Sequence, residues 1–218
     1  MRAAYDDRCR MRPAPRTSTL ALAFREGRAR GFTLVELMIV VVIVGVLSMM
    51  AVAGYSKLFS SSHMAEATHM VNAIRVAQEA YKAESGSYAN ISTALAANQA
   101  TNHGALYPHS TMAAVKEPGN YKVGWGAACT TGCNADWRTL PVHADGSTMF
   151  GYTTVAGLAG EAPTQSVSIN GSNVTWPASI PSDWFLITAV GDTNGNGTFC
   201  TVLGTSFTND LLIDKDGE

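Results

Sequence analysis

Between Leu37 and Ala53 the chain has no charged side chain, and Phe32–Val35 extend this apolar run toward the N-terminus. Glu36 is its single interruption. About 20 predominantly apolar residues are enough to cross a bilayer as a helix. A backbone in lipid must satisfy its own polar groups, and within one segment only a helix does so. The run is too long for an ordinary buried core helix. Glu36 sets a second constraint. A carboxylate in a spanning helix costs about 2.5–3.5 kcal/mol near the centre and less toward an end. A charge kept there calls for a partner.

The helical pattern continues past Tyr55 in a different form. Ala67, Val71, Ile74, Ala77 or Gln78, and Tyr81 recur at three- and four-residue spacing, while Glu66, Arg75, Glu79 and Lys82 fall largely elsewhere. No proline occurs between Pro15 and Pro108. The pattern predicts one helix from about Phe32 to about Ala83, roughly 75–80 Å long at the rise of an α-helix. Ser85-Gly86-Ser87 supplies its stop. Beyond Tyr88 the composition shifts to Gly, Ser, Thr, Asn and Pro. Short runs at Tyr121–Trp125, Met149–Thr154, Asn173–Trp176, Trp184–Val190, Thr198–Leu203 and Leu211–Ile213 read as strands between turns. Residues 89–118 are ambiguous. The expected fold class is α+β: a long N-terminal helix, membrane-spanning in its first half and amphipathic in its second, packed on a small antiparallel sheet.

Charge divides the chain at the same place. Residues 1–31 hold eight arginines against three acidic residues, a net of +5. The remainder holds seven basic and fourteen acidic residues, a net of −7. An acidic body argues against direct nucleic-acid binding, because neutralising phosphate requires Lys and Arg. Basic residues ahead of a span stay cytoplasmic, so the body faces outward.

The junction reads Arg28-Ala29-Arg30-Gly31-Phe32-Thr33-Leu34-Val35-Glu36. A secretory signal carries its apolar region before the cleavage site. Here the basic cluster directly precedes the apolar run, and no small-x-small site follows. An uncleaved anchor fits the apolar run but gives no reason for Gly31 or Glu36. Cleavage after Gly31 gives one: the new amino terminus of Phe32 is a cation near the depth of Glu36 on a neighbouring helix. Gly31-Phe32-Thr33-Leu34-Val35-Glu36, with the apolar run after it, resembles the prepilin N-terminus of type IV pilins and of the related type II secretion pseudopilins. The resemblance implies that a membrane prepilin peptidase cuts between Gly31 and Phe32 and then N-methylates Phe32. It implies that Glu36 and Thr33 serve assembly, and that residues 32 to about 84 pack in a helical filament core. The chain departs from the family in two respects. Its leader is longer than those common in type IVa pilins, with Met11 as an alternative start. Ala53-Gly54 stands where many pilins have a proline. Gly45 and Gly54, each costing about 1 kcal/mol against Ala in a helix, are expected to let it melt or bend.

An outward-facing body places Cys129, Cys133 and Cys200 where disulfides form. Three single pairings are open. The five-residue Cys129–Cys133 loop is favoured, leaving Cys200 buried, although the resemblance also allows a carboxy-terminal loop tied through Cys200. Asp192, Asn194 and Asn196 match the start of a calcium loop, D-x-N-x-N-G, but Leu203 occupies the place where that loop needs Glu. The competing reading is a Gly/Asn turn between strands, and Asp210, Asp214 or Asp216 completes a calcium site only if the tail folds back. His63, His69, His103, His109 and His143 lack ligand spacing and read as exposed polar residues. Phe32, Tyr55, Phe59, Tyr81 and Tyr88 read as core packing. No nucleophile elbow, phosphate loop or Cys/His pair is present.

The expected organisation is a leader (1–31), a transmembrane and filament-core helix (32–55), its amphipathic continuation (56–84) and a periplasmic or extracellular globular domain (85–218). The expected role is structural and not enzymatic: a subunit of a type IV pilus in adhesion, motility or DNA uptake. Its implied partners are other pilin subunits, the prepilin peptidase and the pilus assembly machinery. Its implied locations are the inner membrane as precursor and the extracellular pilus after assembly. The alternatives are a pseudopilin and a membrane-anchored periplasmic binding module or enzyme.

Overall fold

The computed structural model describes residues 31–96, 105–111, 118–119, 121–129 and 131–214. The leader up to Arg30, with Cys9 and Met11, lies outside the described residues, as do His103, Asp216 and the side chain of Phe59. The architecture is α+β. The chain divides into two compact units, residues 1–45 and 46–218.

Helix α1 (Leu34–Ser85) is 52 residues long and runs unbroken through Gly45 and Gly54. Its segment Leu34–Val52 is long and apolar enough to cross a membrane, and none of it is buried. A helix apolar on every side belongs in lipid or against other helices. The C-terminal end falls two residues beyond the expected Ala83. Ser85 Oγ donates to Tyr81 O at 2.8 Å, and Gly86 takes φ +87° while its amide bonds Lys82 O at 2.8 Å. The left-handed glycine, which carries no Cβ penalty, makes the stop.

Within residues 46–218 the amphipathic stripe is where periodicity puts it. Ala67, Val71, Ile74, Ala77 and Gln78 are buried and Tyr81 is half-buried. They face an antiparallel sheet in the order β3 (Gly151–Gly157), β6 (Trp184–Gly191), β7 (Cys200–Thr205), β8 (Leu212–Asp214). Among the described residues two small ribbons accompany the sheet: β1 (Val123–Gly124) with β2 (Ser147–Thr148), and β4 (Ser168–Ile169) with β5 (Ser172–Asn173). Phe185, Ile187 and Ala189 of β6 point toward the helix stripe, while Trp184 and Leu186 point the other way onto Leu95, Val167 and Ile180. Both faces of the sheet are therefore covered. This explains why all eight residues of β6 are buried, where an antiparallel strand with one wet face would alternate.

Buried polar side chains lock the covering segments. Gln78 accepts the Ala89 amide at 2.9 Å and donates to Ala89 O at 2.8 Å and Thr154 Oγ1 at 3.0 Å. Both donors and the acceptor of its amide are used. On the other face Thr188 Oγ1 donates to Ala96 O at 2.6 Å, so the 2.6 Å contact with Thr153 must have Thr153 as donor. Thr153 Oγ1 in turn accepts the Ala96 amide at 3.3 Å.

Several expectations are corrected. Met149–Thr154 is not one strand. The Met149 amide donates to Glu66 Oε1 at 2.8 Å and its carbonyl accepts Gly119 N at 2.7 Å, which separates β2 from β3 along the chain. Strand β7 starts at Cys200 because the Thr198 amide is taken by Asn196 Oδ1 at 2.6 Å. The run Asn173–Trp176 is in the ladder only at Asn173, with one further backbone bond from Val174 N to Val167 O at 2.7 Å, and the Trp176 indole turns to the Gln165 carbonyl. His63 and His109 are buried rather than exposed, His109 with Nε2 3.2 Å from Tyr121 O. Burial holds His63 below the usual imidazole range, Glu66 partly offsetting this and Lys122 adding to it. His69 and His143 are exposed. Phe32 and Tyr55 are not core residues, at 85% and 68% exposure, whereas Tyr81 and Tyr88 pack partly on the core.

Candidate functional site

Gly31, Phe32 and Thr33 are exposed and non-helical, and α1 begins with the next residue. Thr33 stands at the N-cap, its carbonyl accepting the Leu37 amide at 3.2 Å. Its hydroxyl accepts the Glu36 amide at 3.2 Å. Glu36 Oε2 accepts in return from the Thr33 amide and from Thr33 Oγ1, both at 2.9 Å. This is a reciprocal capping box: two backbone donors at the helix foot are satisfied by side chains three residues apart. An anionic residue in the first turn also meets the positive end of the helix dipole. In lipid an unsatisfied backbone group costs several kcal/mol, so this closure suits a helix foot that enters a membrane. Both bonds from Thr33 converge on Oε2, and Oε1 has no donor among the described residues. Sequence reasoning assigns Thr33 and Glu36 to assembly and overlooks the cap. The signal was a threonine three residues before a glutamate, ahead of an apolar run.

The other candidates lie in the body. Cys129 and Cys133 form a disulfide with Cα atoms 6.2 Å apart. The loop it closes and the residue after it hold the chain after the helix: Thr93 N donates to Gly132 O at 3.0 Å, and Asn134 N to Ile91 O at 2.6 Å. Cys200 is buried outside this disulfide, its thiol donating to Asp214 O at 3.0 Å. Asp192, Asn194 and Asn196 come together in one loop, each using side-chain oxygens on the loop's own amides. Asp192 Oδ1 accepts Gly195 N at 2.7 Å, and Oδ2 accepts Gly197 N at 2.8 Å. Asn194 Oδ1 accepts Asn196 N at 3.0 Å. This is the hydrogen bonding of an Asx-type turn. The carboxylate of Asp214 is directed elsewhere, to the Asn170 amide at 2.9 Å. Among the described residues no group of three or more His, Cys, Asp or Glu is placed to hold a metal ion.

The fold and site define a class: a chain whose apolar helix is long enough to cross a membrane, starts at a charged, capped foot and has none of its spanning part buried among the described residues. Residues 27–52 match the model of the prokaryotic N-terminal methylation motif. The chain is also similar to the type IV major pilin protein PilA of Myxococcus xanthus (strain DK1622), with 40% identity over 63 residues. That match covers 29% of this chain and 29% of the relative. These similarities support a type IV pilin, and the apolar helix and motif fit an inner-membrane precursor. No solved structure matches.

Proposed function

We propose that this chain is the structural subunit of a type IV pilus. The leader 1–31 is removed after Gly31, and Phe32 is N-methylated. Residues 32–55 then serve as membrane anchor and, after assembly, as filament core. Residues 56–84 join this helix to the body, and residues 85–218 form the outer domain. The observation that carries the reading is the foot of α1, where Glu36 is held by Thr33 through one oxygen only. Oε1 is left to accept from a cation on another chain, and the methylated amine of Phe32 is such a cation. Charge-assisted hydrogen bonds are the strong ones, more so where water is absent. The spanning residues, exposed along one chain, gain partners when copies pack side by side.

Similarity to a major pilin supports the pilus over the pseudopilus. Adhesion and motility suit the acidic body better than direct contact with DNA. Among its cations, Arg75 donates to the carbonyls of Thr205 and Asn209, Lys82 lies near Asp183, and Arg138 bonds Asp136. The experiment is mass spectrometry of filaments sheared from the cell surface. A mature chain beginning at methylated Phe32 is expected. Filaments without this chain, alongside an unprocessed form in the membrane, refute the reading.

A further inference from the structure

Three Asn–Gly pairs occur in the described chain: Asn170-Gly171, Asn194-Gly195 and Asn196-Gly197. In such a pair the glycine nitrogen reaches the asparagine side-chain carbonyl with no Cβ in the way. The structure treats the three pairs differently. The amides of Gly195 and Gly197 donate to the two oxygens of Asp192, at 2.7 and 2.8 Å, and Asp192 is 1% exposed. A nitrogen engaged in this way is held off attack. Asn170 and Gly171 form the tip of the β4–β5 hairpin, with Ile169 facing Ser172 as the last pair. Both tip residues are exposed, with φ of 52° and 75°, as a type I′ turn requires. The Gly171 amide has no acceptor among the described residues. The ribbon has two register pairs and one further backbone bond, Val174 N to Val167 O at 2.7 Å, so few bonds need to break for its exposed tip to open.

We propose that Asn170 is a site of spontaneous deamidation, and that Asp192 protects Asn194 and Asn196 from the same reaction. The Gly171 nitrogen attacks Asn170 Cγ and loses its proton to solvent. A Cγ–N bond forms, and the bond from Cγ to Nδ2 breaks, releasing ammonia. Water then opens the resulting succinimide at either carbonyl, giving aspartate or isoaspartate; nothing is oxidised or reduced. The consequence is local and irreversible. The Asn170 amide now donates to Asp214 Oδ1 at 2.9 Å. Aspartate adds a second carboxylate next to Asp214. Isoaspartate lengthens the backbone by one carbon, so the two-residue turn no longer closes and the tip is released from β8.

The test uses the full chain in detergent, incubated at mildly alkaline pH in heavy-oxygen water, with each Asn–Gly peptide followed by mass spectrometry. In the native chain Asn170 is expected to convert at least about fivefold faster than Asn194 or Asn196, with the three rates converging in urea. A smaller native ratio overturns the proposal. A ratio that persists in urea assigns the difference to sequence and overturns the protective role of Asp192. Asn170→Gln should remove conversion in this hairpin while leaving the other two rates unchanged.

Discussion

Glu36 Oε2 takes both bonds from Thr33, so glutamine at this position keeps the cap through its amide oxygen while losing the charge. Thr33→Ala does the reverse. It removes a cap of about 0.5–2 kcal/mol and leaves the carboxylate. Glu36→Gln is expected to insert and be processed but to yield few filaments. Glu36→Ala should do the same with a frayed helix start, and Thr33→Ala should assemble better than either. Amino-terminal sequencing of the membrane fraction, together with the yield of sheared filaments, separates the cases. Wild-type filament yield from Glu36→Gln would transfer the role from charge to cap. Gln78 offers a second test at this scale. Gln78→Leu fits an apolar site but leaves the Ala89 amide and carbonyl buried without their partner. Each such group costs about 1–3 kcal/mol. Denaturant unfolding of the detergent-solubilised chain should register at least the loss of one group.

The contact between α1 and the sheet depends on how closely β7 approaches the helix. A Cβ on Gly204 would lie 2.7 Å from Val71 Cγ1 and 3.3 Å from Leu211 Cδ2. Val71 is β-branched, fully buried and on the helix stripe, so it has little room to move. Gly204→Ala is expected to destabilise by about 1–3 kcal/mol, the range for overpacking. Gly146→Ala, which meets nothing within 4 Å, should change little in the same melting experiment. The elements differ in how far sequence revealed them. The stripe Ala67–Val71–Ile74 was legible because a helix buries one face periodically. Strand β6 was legible as an apolar run bounded by turns. Gln78, His63 and His109 were not, since a polar side chain reads as surface until its partners are known. The break between β2 and β3 comes from Glu66, 83 positions away from Met149, and no local rule reports it. The capping box was local, but the apolar run around it drew attention to lipid rather than to the cap.

For the body as a whole, tyrosines determine how the fold responds to alkali. Tyr152 is buried beside Tyr107, Trp125 and Trp137, and its hydroxyl has no hydrogen-bond partner among the described residues. Burial holds its phenol well above the ordinary range, and the charge of Glu66 adds to the effect. Burial also raises Tyr107, against a lowering bond from the Gly126 amide. Tyr88 is pushed up to about 12 by burial and by its bond to Glu79. In each case the folded pKa lies above the unfolded value, so the folded state holds the proton longer. Stability from these groups is therefore fully present below about pH 10, the unfolded value, and is lost as pH rises from there toward the folded values. For Tyr88 that window closes near pH 12. Tyr152 has the stronger effect, because its ionised form has no bond to hold it and only unfolding gives it water. Tyr152→Phe removes both the titration and a buried hydroxyl without a partner. It is expected to gain about 1 kcal/mol at neutral pH and to move the alkaline unfolding midpoint upward. Tyr88→Phe, by contrast, gives up the bond to Glu79 and should flatten only the fall between pH 10 and about 12. Circular dichroism followed against pH, with tyrosinate absorbance read in parallel, distinguishes the two. If Tyr152→Phe is destabilised at neutral pH, the hydroxyl is doing structural work within the core and this account of the alkaline transition fails.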